Sequence, residues 1–434
     1  MTGRVVLPTF FVLLLGPSVA RSIAASPNVL MIVSDDQAWT DYGFMGHTRI
    51  QTPRLDQLAA ESAVFTRGYV PTSLCRPSLA TLMTGLYPHQ HGTTGNDPDI
   101  APMKRSQRNP TYLRLNREYI DRFTEHVSLP RLLGEQGYVS LQTGKWWEGD
   151  FANGGFTAGM THGDPQRGGR HGDAGLTIGR EGLQPVFDFI EAHETQPWFV
   201  WYAPFLPHSP HTPPERLFEK YRGEGISDHV ARYDAMCEWF DETCGELLDY
   251  LQTNDLEQET LVVYVTDNGW IQDPDSPRYG PRSKRSPNEG GIRTPIMLRW
   301  LGHIEPARYD DTLVSSIDLF PTICAATGTA APGGLPGVDL LEVCDHDGRC
   351  ERDTVYGEIF EHDMPDIDDP AAGLMFRWVI SGRWKLIAPA DAQAASELYD
   401  LESDPHEERD VAGEHVEVVA ELTGKLNEWW APEP

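Results

Sequence analysis

The chain is expected to fold as an α/β protein, with a mostly parallel sheet sandwiched by helices and a small C-terminal antiparallel subdomain. Two observations predict this. Up to about residue 330, short continuous apolar runs alternate with amphipathic helical patterns. Strands buried on both faces of a parallel sheet read as such runs. Beyond a Pro/Gly-rich stretch the pattern changes to short strands joined by a tight turn.

The elements follow in order. Residues 27–33 form the first apolar run and end at Ser34-Asp35-Asp36. Thr52-Pro53 opens a helix through Leu55, Leu58 and Ala59. Residues 138–141 make a second strand, ending at Thr143-Gly144-Lys145, and residues 198–202 a third. Tyr233, Cys237, Phe240, Cys244, Leu247 and Leu251 lie on one face of a long helix. Residues 261–265 are a fourth strand, ending at Thr266-Asp267-Asn268-Gly269, and residues 294–298 a fifth. Residues 330–337 read as a linker. Strands at 355–360, 376–380 and 383–387 follow, with a turn at Ser381-Gly382, then a terminal helix over 416–430. The expected division is a signal at 1–25, a main α/β domain at 26–330 and a subdomain at 331–434. Most polar motifs fall just past strand carboxyl ends, where open α/β sheets bind ligands.

Composition narrows the function classes. Residues 1–25 have the form of a cleaved secretory signal: Arg4, an apolar stretch over 5–15, then small residues. That stretch is too short to span a bilayer, so a secreted or periplasmic protein without membrane association is expected. The formal net charge of −30 argues against nucleic acid as a partner. Any anion site must therefore be locally basic. Of the six cysteines, Cys237 and Cys244 lie two helical turns apart, too far for a disulfide. Cys344 and Cys350 flank a short loop and are spaced to pair in an oxidising compartment, while Cys324 lies in an apolar helix.

Asp35-Asp36 at one strand end and Asp267-Asn268 at another supply hard oxygen ligands. Adjacent ionised carboxylates repel unless a cation lies between them. Oxygen ligands suit Ca²⁺, with Mg²⁺ also possible. The plainer reading of Asp-Asp after a strand is a turn and helix cap, and the second pair tips the balance toward metal.

The organising stretch is residues 73–85, Ser-Leu-Cys-Arg-Pro-Ser-Leu-Ala-Thr-Leu-Met-Thr-Gly. Pro77 suits the first helical position, and Leu79, Leu82 and Met83 recur at helical spacing. Cys75 would then sit just ahead of a helix N-terminus, which favours a thiolate or a docked anion. This stretch resembles the signature of the type I sulfatases, Cys-x-Pro-Ser-Arg followed by a helix and Thr-Gly. Cys75, Pro77, Ser78, Thr84 and Gly85 match it, and Leu79 stands where the family has arginine.

The resemblance implies an alkaline-phosphatase-like core and hydrolysis of sulfate esters. It implies a Cys75 oxidised to formylglycine by a formylglycine-generating enzyme, and a hydrate that acts as nucleophile. Asp35, Asp36, Asp267 and Asn268 match the family's metal positions. Lys145 in Gly-Lys-Trp and Lys284 ahead of Glu-Gly-Gly match its sulfate-holding lysines, and His208 matches its Pro-His-x-Pro histidine. Trp147 replaces a family histidine, for which His162 or His171 is a candidate substitute; Arg285 is placed to share the role of Lys284. His211, His89 and His91 are expected to support loops. Trp39, Trp146, Trp147 and Trp270 each follow a site motif. They are placed to stack on sugar rings or simply to pack the sheet edge. The expected substrate is a small-molecule or oligosaccharide sulfate ester, a sulfated carbohydrate above all. A phosphodiester or phosphonate monoester hydrolase on the same scaffold, and a non-catalytic sulfatase-like binding protein, are the alternatives.

Overall fold

The computed structural model describes residues 26–103 and 109–432. The expected signal at 1–25 lies outside them. In chain order the strands of the first part are β1 (Asn28–Ser34), β2 (Ala63–Tyr69), β3 (Asp97–Pro98), β4 (Val139–Gly144), β5 (Ala158–Gly159), β6 (Trp198–Ala203), β7 (Thr260–Thr266), β8 (Arg293–Arg299) and β9 (Ala307–Ser315). Apart from β3, they form one eight-stranded sheet in the order β5-β4-β6-β1-β7-β8-β2-β9.

β1 runs through the centre, and its alternate side chains enter two different cores. Val29, Met31 and Val33 join Phe199, Trp201, Val263 and Val265 on one face, packed against Leu79, Leu82 and Met83. Leu30 and Ile32 join Val200, Val262 and Tyr264 on the other, beneath Met236, Phe240, Cys244, Leu247 and Leu251 of the helix Asp228–Thr253. Burial on both faces is why these strands read as unbroken apolar runs, each buried side chain contributing roughly 1.5–3 kcal/mol.

β4, β6, β1 and β7 are mutually parallel, so their carboxyl ends share one edge. β8 is antiparallel to both β7 and β2. Its amino end, and the loop that precedes it, therefore reach the same edge. β2 and β9 carry too many polar residues to stand out in the sequence: Thr66 and Arg67 interrupt one, and Asp310 and Asp311 the other. β9 tolerates them because it is the sheet's edge strand and is only partly covered.

The remaining strands are β10 (Thr354–Phe360), β11 (Asp363–Met364), β12 (Leu374–Ser381), β13 (Trp384–Pro389) and β14 (Glu397–Asp400). β10, β12, β13 and β14 form an antiparallel sheet, with Leu422 and Leu426 of the helix Val416–Trp429 packed on Val379, Leu386 and Leu398. β11 pairs with β3. The short helix Leu340–Asp345 follows the linker and was not apparent from periodicity. The expected pairing of Cys344 with Cys350 does not form. All six cysteines are free, and these two pack against the main core instead.

The two sheets are tied by a buried charge. The Lys385 ammonium on β13 lies 3.0 Å from Glu289 Oε1 and 2.7 Å from Glu407 Oε1. Glu407 Oε2 in turn accepts from the Glu289 backbone N–H. Lys385→Met would leave two carboxylates facing each other without a counter-charge. It is expected to cost about 3–5 kcal/mol of stability, measured by urea unfolding.

Candidate active site

Asp35 and Asp36 follow β1, Lys145 follows β4, Asp267 and Asn268 follow β7, and His208 lies on the loop after β6. Lys284 precedes the antiparallel β8, and Cys75 follows β2. The strand directions thus bring these eight residues to one crevice. Gly144 permits the tight exit before Lys145: its φ is +75°, and a Cβ there would lie 1.8 Å from the Ala203 carbonyl oxygen.

Cys75 is itself the first residue of the helix Cys75–Thr84, with Leu74 extended before it. Pro77 is therefore the third helical residue rather than the first. Its missing N–H is still harmless, because N–H groups in the first turn have no partner within the helix. Two ammonium groups converge on the sulfur. Lys145 Nζ and Lys284 Nζ each donate to Cys75 Sγ at 3.1 Å. Lys145 also donates to Asp35 Oδ1 at 2.7 Å, and Lys284 to Asp36 Oδ1. Asn268 Nδ2 donates to the same Asp36 oxygen at 2.7 Å. The backbone N–H groups of Asp36 and Asn268 donate to Asp267 Oδ1. Asp36 holds a left-handed φ of 67° to make this contact, uncommon outside glycine but tolerated by Asp.

One oxygen on each of the four predicted ligands is left over. Asp35 Oδ2, Asp36 Oδ2, Asp267 Oδ2 and Asn268 Oδ1 are buried and have no hydrogen-bond donor. Buried oxygens normally find one, so this set fits a cation. Ligand-grade atoms of Asp35, Asp36, Cys75 and His208 also lie within 4.8 Å of one another. His208 Nδ1 contacts the Ser209 carbonyl, which only accepts, so Nδ1 carries the proton. In a neutral ring Nε2 then turns a bare lone pair toward Asp36 Oδ2, 3.3 Å away. Two acceptors face each other there unless positive charge lies between them.

The electrostatics agree. Burial, and then the charges of Asp267 and Asp36, hold the Asp35 carboxyl well above the usual range despite Lys145. Burial likewise raises Asp267, against the pull of Lys145. Burial also acts to raise Asp36, but Lys284, His208 and Lys145 outweigh it and hold its carboxyl low. Burial pushes the Cys75 thiol up to about 12, against both lysines, so an unmodified Cys75 is a neutral thiol here. His208 is pushed well down by burial and by Lys145.

The crevice opens into a cavity of about 620 Å³ that reaches Cys75, Lys145, Lys284 and His208. A larger cavity of about 730 Å³, lined by Trp39 and Tyr233, does not reach Cys75.

Comparison with known proteins matches this arrangement to a family. The sulfatase family profile covers residues 27–329, and a profile described as N-sulphoglucosamine sulphohydrolase, C-terminal, covers residues 278–431. The chain belongs to the sulfatase family. It is a sulfuric ester hydrolase. Arylsulfatase A of Homo sapiens is 27% identical over 474 residues, spanning 92% of this chain and 86% of the relative. N-acetylgalactosamine-6-sulfatase of Canis lupus familiaris is 31% identical over 359 residues, spanning 73% of this chain and 65% of the relative. In fold, the sulfatase is similar to the crystal structure of Ps i-CgsB in complex with k-i-k-neocarrahexaose. There the TM-score is 0.74 at 23% identity, with 94% of each chain covered.

Leu79 and Trp147 stand where the motif resemblance leads one to expect arginine and histidine. Leu79 is packed in the main core. Arg76 does not take over at the sulfur. Its Nε and one terminal nitrogen bind the two Glu148 oxygens at 2.8 and 2.7 Å, and its other terminal nitrogen reaches Asn116 and the Asn96 carbonyl. At the second departure, the Trp147 ring lies 4.7 Å beneath the Arg170 guanidinium, which is paired with Asp97. His171 packs edge-on to Trp147 and lines the cavity, whereas His162 sits in a separate pocket beside Asp173. Burial, then Lys145 and Arg170, push His171 down to about 3, so it brings no positive charge at neutral pH.

The tryptophans divide between packing and lining a cavity. Trp146 is core, packed on Phe123 and Phe156. Trp39 lines the other cavity and stacks on His406. Trp147 and Trp270 are largely buried yet line the Cys75 cavity. His211 packs on Tyr233 and Trp270 as a supporting residue, and His89 pairs with Glu358 away from the site. Asn96, Arg170, Arg278, Tyr279 and His362 also line the cavity. They were not identified from the sequence, because none belongs to a motif, and His362, two residues past β10, follows a strand of the second sheet.

Arg76→Met is expected to strand Glu148 as an unpaired buried carboxylate and to cost about 3–5 kcal/mol in urea unfolding. Replacing both residues by a Met–Leu pair should recover most of that loss.

Proposed function

We propose that this sulfatase cleaves sulfate esters of carbohydrates at Cys75, matured to formylglycine, beside a divalent cation held by Asp35, Asp36, Asp267 and Asn268. The observation that carries the reading is the set of four partnerless buried oxygens beside a cysteine held between two lysines. Oxygen-only donors, three of them on carboxylates, suit Ca²⁺, and Mg²⁺ shares the donor type. The carbohydrate assignment draws on the N-acetylgalactosamine-6-sulfatase relative and on the aromatic and basic cavity wall. We also place the protein outside the cytosol, in a secreted or periplasmic setting, on the signal-like pattern of residues 1–25. No helix among the described residues is long and apolar enough to cross a membrane. A formylglycine-generating enzyme is the proposed maturation partner.

When bound, the cation offsets the carboxylates and draws charge from the sulfate oxygens. Lys145 and Lys284, on either side of Cys75, hold the sulfate by charge-assisted hydrogen bonds. One hydroxyl of the hydrate that a matured Cys75 would carry would attack sulfur, its proton passing to solvent water as the sulfur–oxygen bond to the alcohol breaks. Lys284 and His208 assist the departing oxygen. Asp36, outweighing burial, keeps Lys284 charged with a proton to deliver. His208 is neutral until a bound anion raises it. The second hydroxyl would then return a proton to the group that protonated the alcohol, the carbon–oxygen bond to sulfate would break, and the aldehyde would be restored. Water rehydrates it.

Elemental analysis should find about one calcium or magnesium per wild-type chain, and Asp267→Ala should remove it, leaving carboxylates without their cation. Full occupancy in that variant would refute the ligand set. Protein from the native host should yield a Cys75 peptide that has lost H₂S and gained one oxygen. Lys284→Ala should lower kcat on an aryl sulfate by roughly 10²–10³, the usual effect of removing one preorganised donor. A fully active enzyme with an alkylatable Cys75 thiol would refute the formylglycine assignment.

A further inference from the structure

We infer that the substrate carries a second anionic group besides the sulfate that is cleaved, and that Arg285 and Arg278 on the cavity wall receive it. The inference rests on the sulfatase reading and extends it to substrate class.

The argument is a matter of charge. The chain as a whole is strongly acidic, with 65 Asp and Glu against 35 Lys and Arg. Yet the cavity over Cys75 is lined by Lys145, Arg170, Arg278, Lys284 and Arg285, with no carboxylate among its lining residues. Three of these cations are already matched. Lys145 is paired with Asp35, Lys284 with Asp36, and Arg170 with Asp97. Beneath them, three carboxylates face two lysines. A divalent cation leaves that floor with one positive charge, which a single sulfate monoester balances. Arg278 and Arg285 are left over: among the described residues, neither guanidinium has an ion-pair partner.

Both arginines are placed by the fold. Arg285 holds a left-handed φ of 65° while its backbone N–H donates to the Ser73 carbonyl at 2.9 Å, two residues before Cys75. The same turn that sends Lys284 down to the sulfur sends Arg285 to the wall. Its Nε is buried and has no hydrogen-bond partner. Nor has Nε1 of Trp147, a side chain only 5% exposed that lines the same cavity. Arg278 rides on a loop fixed by Gln272, whose Nε2 donates to the carbonyls of Asp273, Ser276 and Arg278. The neighbouring Tyr279 packs edge-on to Trp270 and closes that side of the wall. Unmatched guanidinium groups beside partnerless indole and guanidinium N–H donors form a receptor for sulfate or carboxylate oxygens.

Two sources supply that chemistry: a second sulfate on the same sugar, or the carboxylate of an adjoining uronate. Both are tested against a sugar that has neither. Turnover of 4-nitrophenyl sulfate by the wild-type protein first tests the sulfatase reading by itself; no turnover by matured, metal-loaded protein would count against that reading alone. Binding is then measured calorimetrically on the metal-loaded Cys75→Ala protein, which holds sulfate esters without cleaving them. The probes are N-acetylgalactosamine 6-sulfate, its 4,6-disulfate, and the 6-sulfate linked to a uronate. At least one dianion should bind roughly tenfold or more tightly than the monoanion, as one charge-assisted contact supplies. Arg278→Gln, at an exposed position that the fold tolerates, should reduce that preference. Arg278→Gln with Arg285→Gln should bring it close to one. Preference for the disulfate or for the uronate conjugate identifies the source. Equal binding of all three probes, or a preference undiminished in the double variant, would overturn the proposal.

Discussion

Three carboxylates buried around one sulfur cannot be held in a folded chain without positive charge among them. Desolvation of an ionised carboxylate costs several kcal/mol unless it is paired, and here burial raises two of the three acids despite the lysines beside them. Lys145 and Lys284 meet part of the need, and the four partnerless oxygens mark where the rest must come from. Cys75 sits at the centre of this balance because both ammonium groups that neutralise the carboxylates also touch its sulfur.

The sheet makes the arrangement possible. Four parallel strands end at one edge and deliver Asp35, Asp36, Lys145, Asp267 and Asn268 from their tips. The single reversal at β8 is useful for the same reason, since it returns the Lys284 loop to that edge. That loop is secured from the second sheet, where Lys385 clamps Glu289 and Glu407. The C-terminal sheet is therefore part of the structure that positions Lys284.

The departures at Leu79 and Trp147 are each packed into a coherent local structure. Leucine in place of arginine joins the core, while the arginine three residues earlier spends its charge on Glu148. Tryptophan in place of histidine gains an arginine stacked above it.

The sequence by itself determined the fold class, the strands buried on both faces, and the seven residues that meet around Cys75. These were legible because a strand with two apolar faces leaves an unbroken signal, and because the polar residues at its tip have no packing role to explain them. The tertiary structure decided what local pattern could not carry. It showed β2 and β9 as strands despite their polar residues, since neighbouring strands satisfy a backbone whose side chains look unpromising. It left Cys344 and Cys350 unpaired, because both pack on the core. It separated Trp146, which is core, from Trp147 and Trp270, which line the cavity, although all follow the same kind of motif. And it placed Arg170, Arg278 and Arg285 on the wall of the cavity that reaches Cys75. An arginine on a loop leaves no periodic trace, and whether its charge is matched depends on residues far away in the chain, which only the folded molecule brings near.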